Sequence, residues 1–223
     1  MDVYLLVVLC IAGIFLGYKI PDIAQSITLY KCRKKNMELS PNPLYTSIYL
    51  KLGLCVLNGA VWVLSGILTE HLPQAILADL LFTMAVLVTI IDIRIRIVPN
   101  ELLIVMIIFG IAFQAVQFGL TAILISAVCM IAMMVFFTVV AGIVGFDKVG
   151  AGDVKLAGAM GLVLGYPNII SALLIMCAGF AIFSVGGIAI RKLTMKSMLP
   201  FAPFMMAGMV IALASIILQV QVL

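Results

Sequence analysis

Met84-Ala-Val-Leu-Val-Thr-Ile-Ile-Asp92-Ile-Arg-Ile-Arg96-Ile-Val-Pro-Asn100 reads as the last turns of a membrane-spanning helix running out into lipid headgroups. The run from Met84 to Ile91 carries no charge, Asp92 ends it, Arg94 and Arg96 follow as headgroup anchors, and Pro99 stops the helix. The same kind of uncharged run recurs along the whole chain. Apolar residues make up 65% of the sequence and charged residues only 10%, where a soluble domain has roughly half apolar and about a quarter charged. A hydrocarbon layer of about 30 Å takes about 20 helical residues to cross, so water cannot be the main solvent of this chain. The runs are continuous rather than alternating, which favours helices over a barrel.

Spans are predicted at 2–18, 47–69, 75–93, 101–118 and 120–145, with a short one at 154–165 and two more at 168–190 and 199–222. The expected fold is therefore an all-α polytopic helical bundle of about eight transmembrane segments, one of them short or re-entrant, forming a single membrane domain over 1–223. The short segment reaches only about 18 Å as helix, and with Gly158, Gly161 and Gly165 it suits a place among its neighbours rather than against lipid. The stretch 19–46 is read as a basic loop, carrying Lys19, Lys31, Arg33, Lys34 and Lys35. The positive-inside rule places it in the cytoplasm. Alternating from there, Glu70-His71 and Gln117 to Gly119 fall outside, Arg94, Arg96, Lys148 and Lys155 inside, and both termini outside. The first run, Val3 to Leu16, has no basic residue before it and no A-x-A-like cleavage site, so a retained span is expected. The basic residues serve orientation, and nucleic acid is not an expected partner.

Five cysteines lie at Cys10, Cys32, Cys55, Cys129 and Cys177, without CxxC spacing, so neither a disulfide framework nor a zinc site is written here. No metal and no cofactor is expected.

An ionisable group at a membrane span is costly enough to mark a candidate site. Of the nine acids, Asp2, Glu70 and Asp79 fall at or near the outer face, and Asp22 and Glu38 in the basic loop. Glu101 follows Asn100 at a helix start, where capping and the macrodipole account for it. Asp92, Asp147 and Asp153 collect at the cytoplasmic boundary. Asp92 is either a functional acid or an interfacial one paired with Arg96 a turn away. Asp153 stands in Gly150-Ala151-Gly152-Asp153-Val154-Lys155, where two glycines permit close backbone approach and the acid meets the positive end of the next helix. A plain acidic cap explains part of this, but not the shortened, glycine-bearing helix behind it. Asp147, beside Lys148, is read as locally paired or solvated.

Hydrolytic chemistry, one class open to a pair of acids, needs an activated nucleophile and a proton for the leaving group. The single histidine, His71, falls on the face opposite these acids, against Ser-His, Cys-His or histidine-rich metal chemistry. Two carboxyl groups sharing one proton can do both jobs, with a water between them. A transporter would place acids near the midplane with broken helices in two related halves; a non-enzymatic assembly subunit would use them only as anchors. Both alternatives stay open on residue chemistry alone.

The order D-x-R-x-R-x-[IV]-P-N from Asp92 to Asn100, then G-x-G-D-x-K from Gly150 to Lys155, resembles the type IV prepilin peptidases, membrane aspartyl proteases of the GxGD class. The resemblance runs from about Thr83 to Gly165, inside a catalytic segment taken as 75–165; more faintly, Gly13 to Gly17 through Pro21 is similar to the glycine-rich N-terminal part of bacterial members. It implies that Asp92 and Asp153 are catalytic, that Gly150 and Gly152 let a substrate backbone approach, and that the protein sits in the bacterial inner membrane. The implied substrate is a prepilin or pseudopilin whose hydrophobic helix lies in the bilayer, cut after a glycine at the cytoplasmic boundary. Lys155 is open between steadying an oxyanion, pairing with a carboxylate and anchoring in headgroups. Many relatives carry two zinc-binding CxxC pairs in the first loop and also N-methylate the cleaved product. Here that loop holds only Cys32, so peptidase activity alone is expected.

Overall fold

The computed structural model describes residues 2–34, 36, 47–69, 71–144, 150–191 and 199–220. They form eight helices: α1 (Val3–Lys34), α2 (Ile48–Leu68), α3 (Leu72–Ile95), α4 (Asn100–Phe118), α5 (Leu120–Val144), α6 (Ala151–Leu164), α7 (Asn168–Ala189) and α8 (Ala202–Val220). Six of them, α1 to α5 and α7, are long and apolar enough to cross a membrane; Ala202–Leu218 is apolar but shorter, and α6 has 14 residues. The chain is a polytopic helical membrane protein, and its large exposed apolar residues, such as Leu120, Leu124, Val128 and Ile182, are the expected lipid-facing ones.

The first element differs from the sequence expectation. The helix expected to end at residue 18 continues to Lys34, so the connection read as starting at Lys19 starts only after Lys34. Beyond the apolar run the helix keeps one face against the bundle, burying Ile20, Ala24, Thr28 and Cys32 at every fourth position. Lys51 on α2 holds Asp22 of that extension at 2.6 Å.

Small residues bring α1 and α2 together. A Cβ on Gly13 would lie 2.8 Å from Trp62 Cγ, and one on Gly17 would fall into the Leu54 carbonyl. Asn58 Nδ2 donates to Gly13 O at 3.1 Å across the same contact. On the far side of the bundle α6 is enclosed by α4, α5 and α8, with every residue from Leu156 to Gly165 buried. It meets the expectation of a short, glycine-bearing piece kept away from lipid. Gln114 Nε2 on α4 donates to Val163 O near its end, at 2.8 Å. That bond satisfies one of the carbonyls a helix terminus leaves open.

Candidate active site

Asp92 stands one turn before the end of α3. The helix ends because Arg96 takes a left-handed conformation (φ 52°, ψ 41°), its N–H closing on Asp92 O at 2.8 Å, and Pro99 lies just beyond. The Asp92 side chain is 3% exposed. Its carboxylate accepts, at 3.2 Å, the N–H of Ala202, the first residue of α8. Asp92 therefore caps a helix 110 residues away in sequence, at the end where unpaired N–H groups and the macrodipole favour a negative charge. The pairing with Arg96 considered from the sequence is not the contact that holds it; Arg96 contributes its charge from nearby.

Asp153 is the third residue of α6. Its N–H donates to Gly150 O at 2.9 Å and its Oδ2 accepts the Gly150 N–H at 3.1 Å, a reciprocal closure of the helix start. Gly152 lets this start lie against the segment that joins α3 to α4: a Cβ there would come 3.3 Å from Val98 Cβ and 3.6 Å from Val98 N. The two aspartates, 61 positions apart in the numbering, end close enough for the Asp153 charge to act on Asp92. They are not equally open. Asp153 lines a cleft of about 490 Å³ together with Lys31, Lys34, Arg96, Asn100 and Lys155, while Asp92 sits behind it, buried against α8.

Gly150, Gly152 and Lys155 all border the cleft. Lys155 Nζ donates to Asn100 Oδ1 at 3.2 Å, tying α6 to the start of α4, and its described partner is neither carboxylate. Asn100 is thus engaged inside α4 and the N-cap position belongs to Pro99, unlike the cap expected from the sequence. Glu101 is likewise held by Lys31, at 2.7 Å. Asp147 lies outside the described residues.

Two contributions to the site were hidden in the sequence. Lys31 and Lys34 reach the cleft only because α1 extends so far, a fact signalled by its every-fourth apolar stripe. The Ala202 contact has no local signal, since it uses a backbone N–H. Away from this site, Asp79, expected near the outer face, lies toward the other end of α3, is 1% exposed and accepts a hydrogen bond from Ser65 Oγ at 2.6 Å.

The prepilin leader peptidase/N-methyltransferase of Bacillus subtilis (strain 168) is 28% identical over 156 residues, a match covering 70% of this chain and 60% of that protein. No solved structure matches. The profile of the type IV leader peptidase family matches residues 80–219, which takes in Asp92, the Gly150–Lys155 motif and the Ala202 contact, and this chain belongs to that family.

Proposed function

We propose that the chain is a membrane aspartyl endopeptidase that removes the leader from type IV prepilins or pseudopilins at the cytoplasmic boundary of the bacterial inner membrane. The observation that carries this reading is that the end of α3, with Asp92, and the start of α6, with Asp153, come together where Gly152 lies against Val98, bringing Asp92 within range of the Asp153 charge. One carboxylate takes a proton from a water lying between the two as its oxygen bonds to the scissile carbonyl carbon. The other carboxyl, holding the shared proton, protonates the nitrogen as the C–N bond breaks. The pair acts as a unit, so neither role is assigned to one residue.

Each aspartate keeps one oxygen engaged by a backbone N–H, Ala202 for Asp92 and Gly150 for Asp153. Those bonds fix the carboxyl planes and leave the other oxygens for water and substrate. Gly150 and Gly152, with the small Ala151 between them, give the cleft an edge along which an extended substrate strand fits. Lys155 acts through Asn100 as an anchor of that edge. The working unit is one membrane domain with its catalytic segment at 75–165. Methyl transfer is not part of the reading, because the zinc-binding thiolates associated with it have no counterpart beyond Cys32.

Co-expression with a candidate prepilin tests it. Mass spectrometry should show loss of the leader with the wild-type chain and an intact precursor with Asp92→Asn or Asp153→Asn. Cleavage surviving in both variants would remove the proposal.

A further inference from the structure

A second site lies on the same helix as Asp92, toward its other end. Between α2, α3 and α8 runs a groove of about 400 Å³, in the size range of small-molecule sites. Its walls are aliphatic and aromatic, including Leu64, Phe82, Leu213 and Ile217, and its polar side chains are Ser65 and Asp79. Leu64 and Leu218, at its rim, are 53% and 48% exposed, so the groove opens sideways onto lipid.

Asp79 is the anomaly. Among the described residues the donor to its carboxyl group is Ser65 Oγ, on one oxygen. The lysines and arginines of α2, α3 and α8 are Lys51 and Arg94, both at the opposite ends of their helices. The described ion pairs, Lys31–Glu101 and Lys51–Asp22, leave Asp79 out. A buried carboxyl with one neutral donor in a low-dielectric layer is costly, and a cationic donor entering the groove would complete it.

We propose that this groove binds a single-chain amphiphilic amine taken up from the bilayer, its ammonium group on Asp79 and its alkyl chain along α2 and α8. An amine-headed phospholipid does not fit. Asp79 lies about 10 Å along α3 from its start, and the lining has no basic side chain to receive a phosphate.

The chain carries its own reporter. Trp62, its single tryptophan, lies one turn before Ser65 on α2 and donates from Nε1 to Thr83, one turn beyond Asp79 on α3, at 3.4 Å. The full chain in phosphatidylcholine nanodiscs, titrated with dodecylamine, should give a saturable change in Trp62 emission. Dodecanol, which lacks the charge, should give none at the same concentrations. Asp79→Asn, which keeps the shape and the Ser65 bond, should raise the half-saturation concentration about tenfold or more, as loss of a charge-assisted contact does. Ala214→Phe, which fills the groove and leaves the acid, should abolish the saturable change. A linear, unsaturable response in the wild type, or equal responses in all three proteins, would mean simple partition into lipid and overturn the proposal. The assay requires no peptidase activity, so its outcome is independent of the leader-cleavage reading.

Discussion

Asp79 and Asp92 share α3 and are both almost wholly buried, yet they stand about 20 Å apart along its axis and have different neighbours. Asp92 accepts the Ala202 N–H within range of the Asp153 charge, whereas Asp79 accepts a serine hydroxyl. Substitution by asparagine separates structural from chemical roles, because an amide oxygen still accepts the Ala202 or Gly150 N–H. Asp92→Asn and Asp153→Asn should insert and fold like the wild type but lose about 10²–10⁴-fold in leader-cleavage rate. The double variant should be hardly slower than either single one. Asp79→Asn should cleave near the wild-type rate, as timed by mass spectrometry on one precursor. At this scale the candidate pair could be picked out because an ionisable group at a membrane span is costly, although each acid by itself also had a bland reading, an Arg96 pair or a helix cap. Two details were not: the cap on Ala202, and the capture of Asn100 and Glu101 by lysines from α6 and α1. Both depend on partners far along the chain.

Among the elements, α6 holds the site in place. Its 14 residues span only about 21 Å, and it is fixed by contact rather than by length. A Cβ on Gly161 would come 2.7 Å from Cys129 O, and one on Gly158 2.6 Å from Met134 Cγ. Gly161→Val therefore forces α5 and α6 apart against a rigid backbone carbonyl. It should lower the unfolding temperature in detergent and cleavage activity together, whereas Gly53→Ala on α2, where a Cβ meets nothing, should change neither. Gln114→Leu leaves the buried Val163 carbonyl without its donor, a loss of about 1–3 kcal/mol visible as a lower thermal midpoint. The brevity of α6 and its glycines could be read from the sequence, but the helices those glycines face could not. The opposite failure occurred in α1. Lys19 marks the membrane boundary on charge alone, although the stripe Ile20, Ala24, Thr28, Cys32 continues the helical period and shows that the chain goes on packing after charges appear.

For the molecule as a whole, helix alternation and charge give one orientation. The ends of α1, α3, α5 and α7 and the starts of α2, α4, α6 and α8 belong to one face. That face carries Lys31, Arg33, Lys34, Arg94, Arg96, Lys155 and Arg191. The opposite face, at His71, Gly119 and Tyr166, carries no lysine or arginine at the described helix ends. An asymmetry this strong supports the proposed cytoplasmic placement of the basic face, and both candidate catalytic acids lie on it. With 32 residues, α1 is about 48 Å long and overshoots a core of about 30 Å, carrying Lys31 and Lys34 into the basic cleft. In a background with all five native cysteines replaced, a membrane-impermeant maleimide should label Gly119→Cys in intact cells. Asn36→Cys should react only after the membrane is opened. The reverse pattern would put Asp92 and Asp153 outside the cell, where a leader still held in the cytoplasm could not reach them, and the proposed reaction would have no substrate.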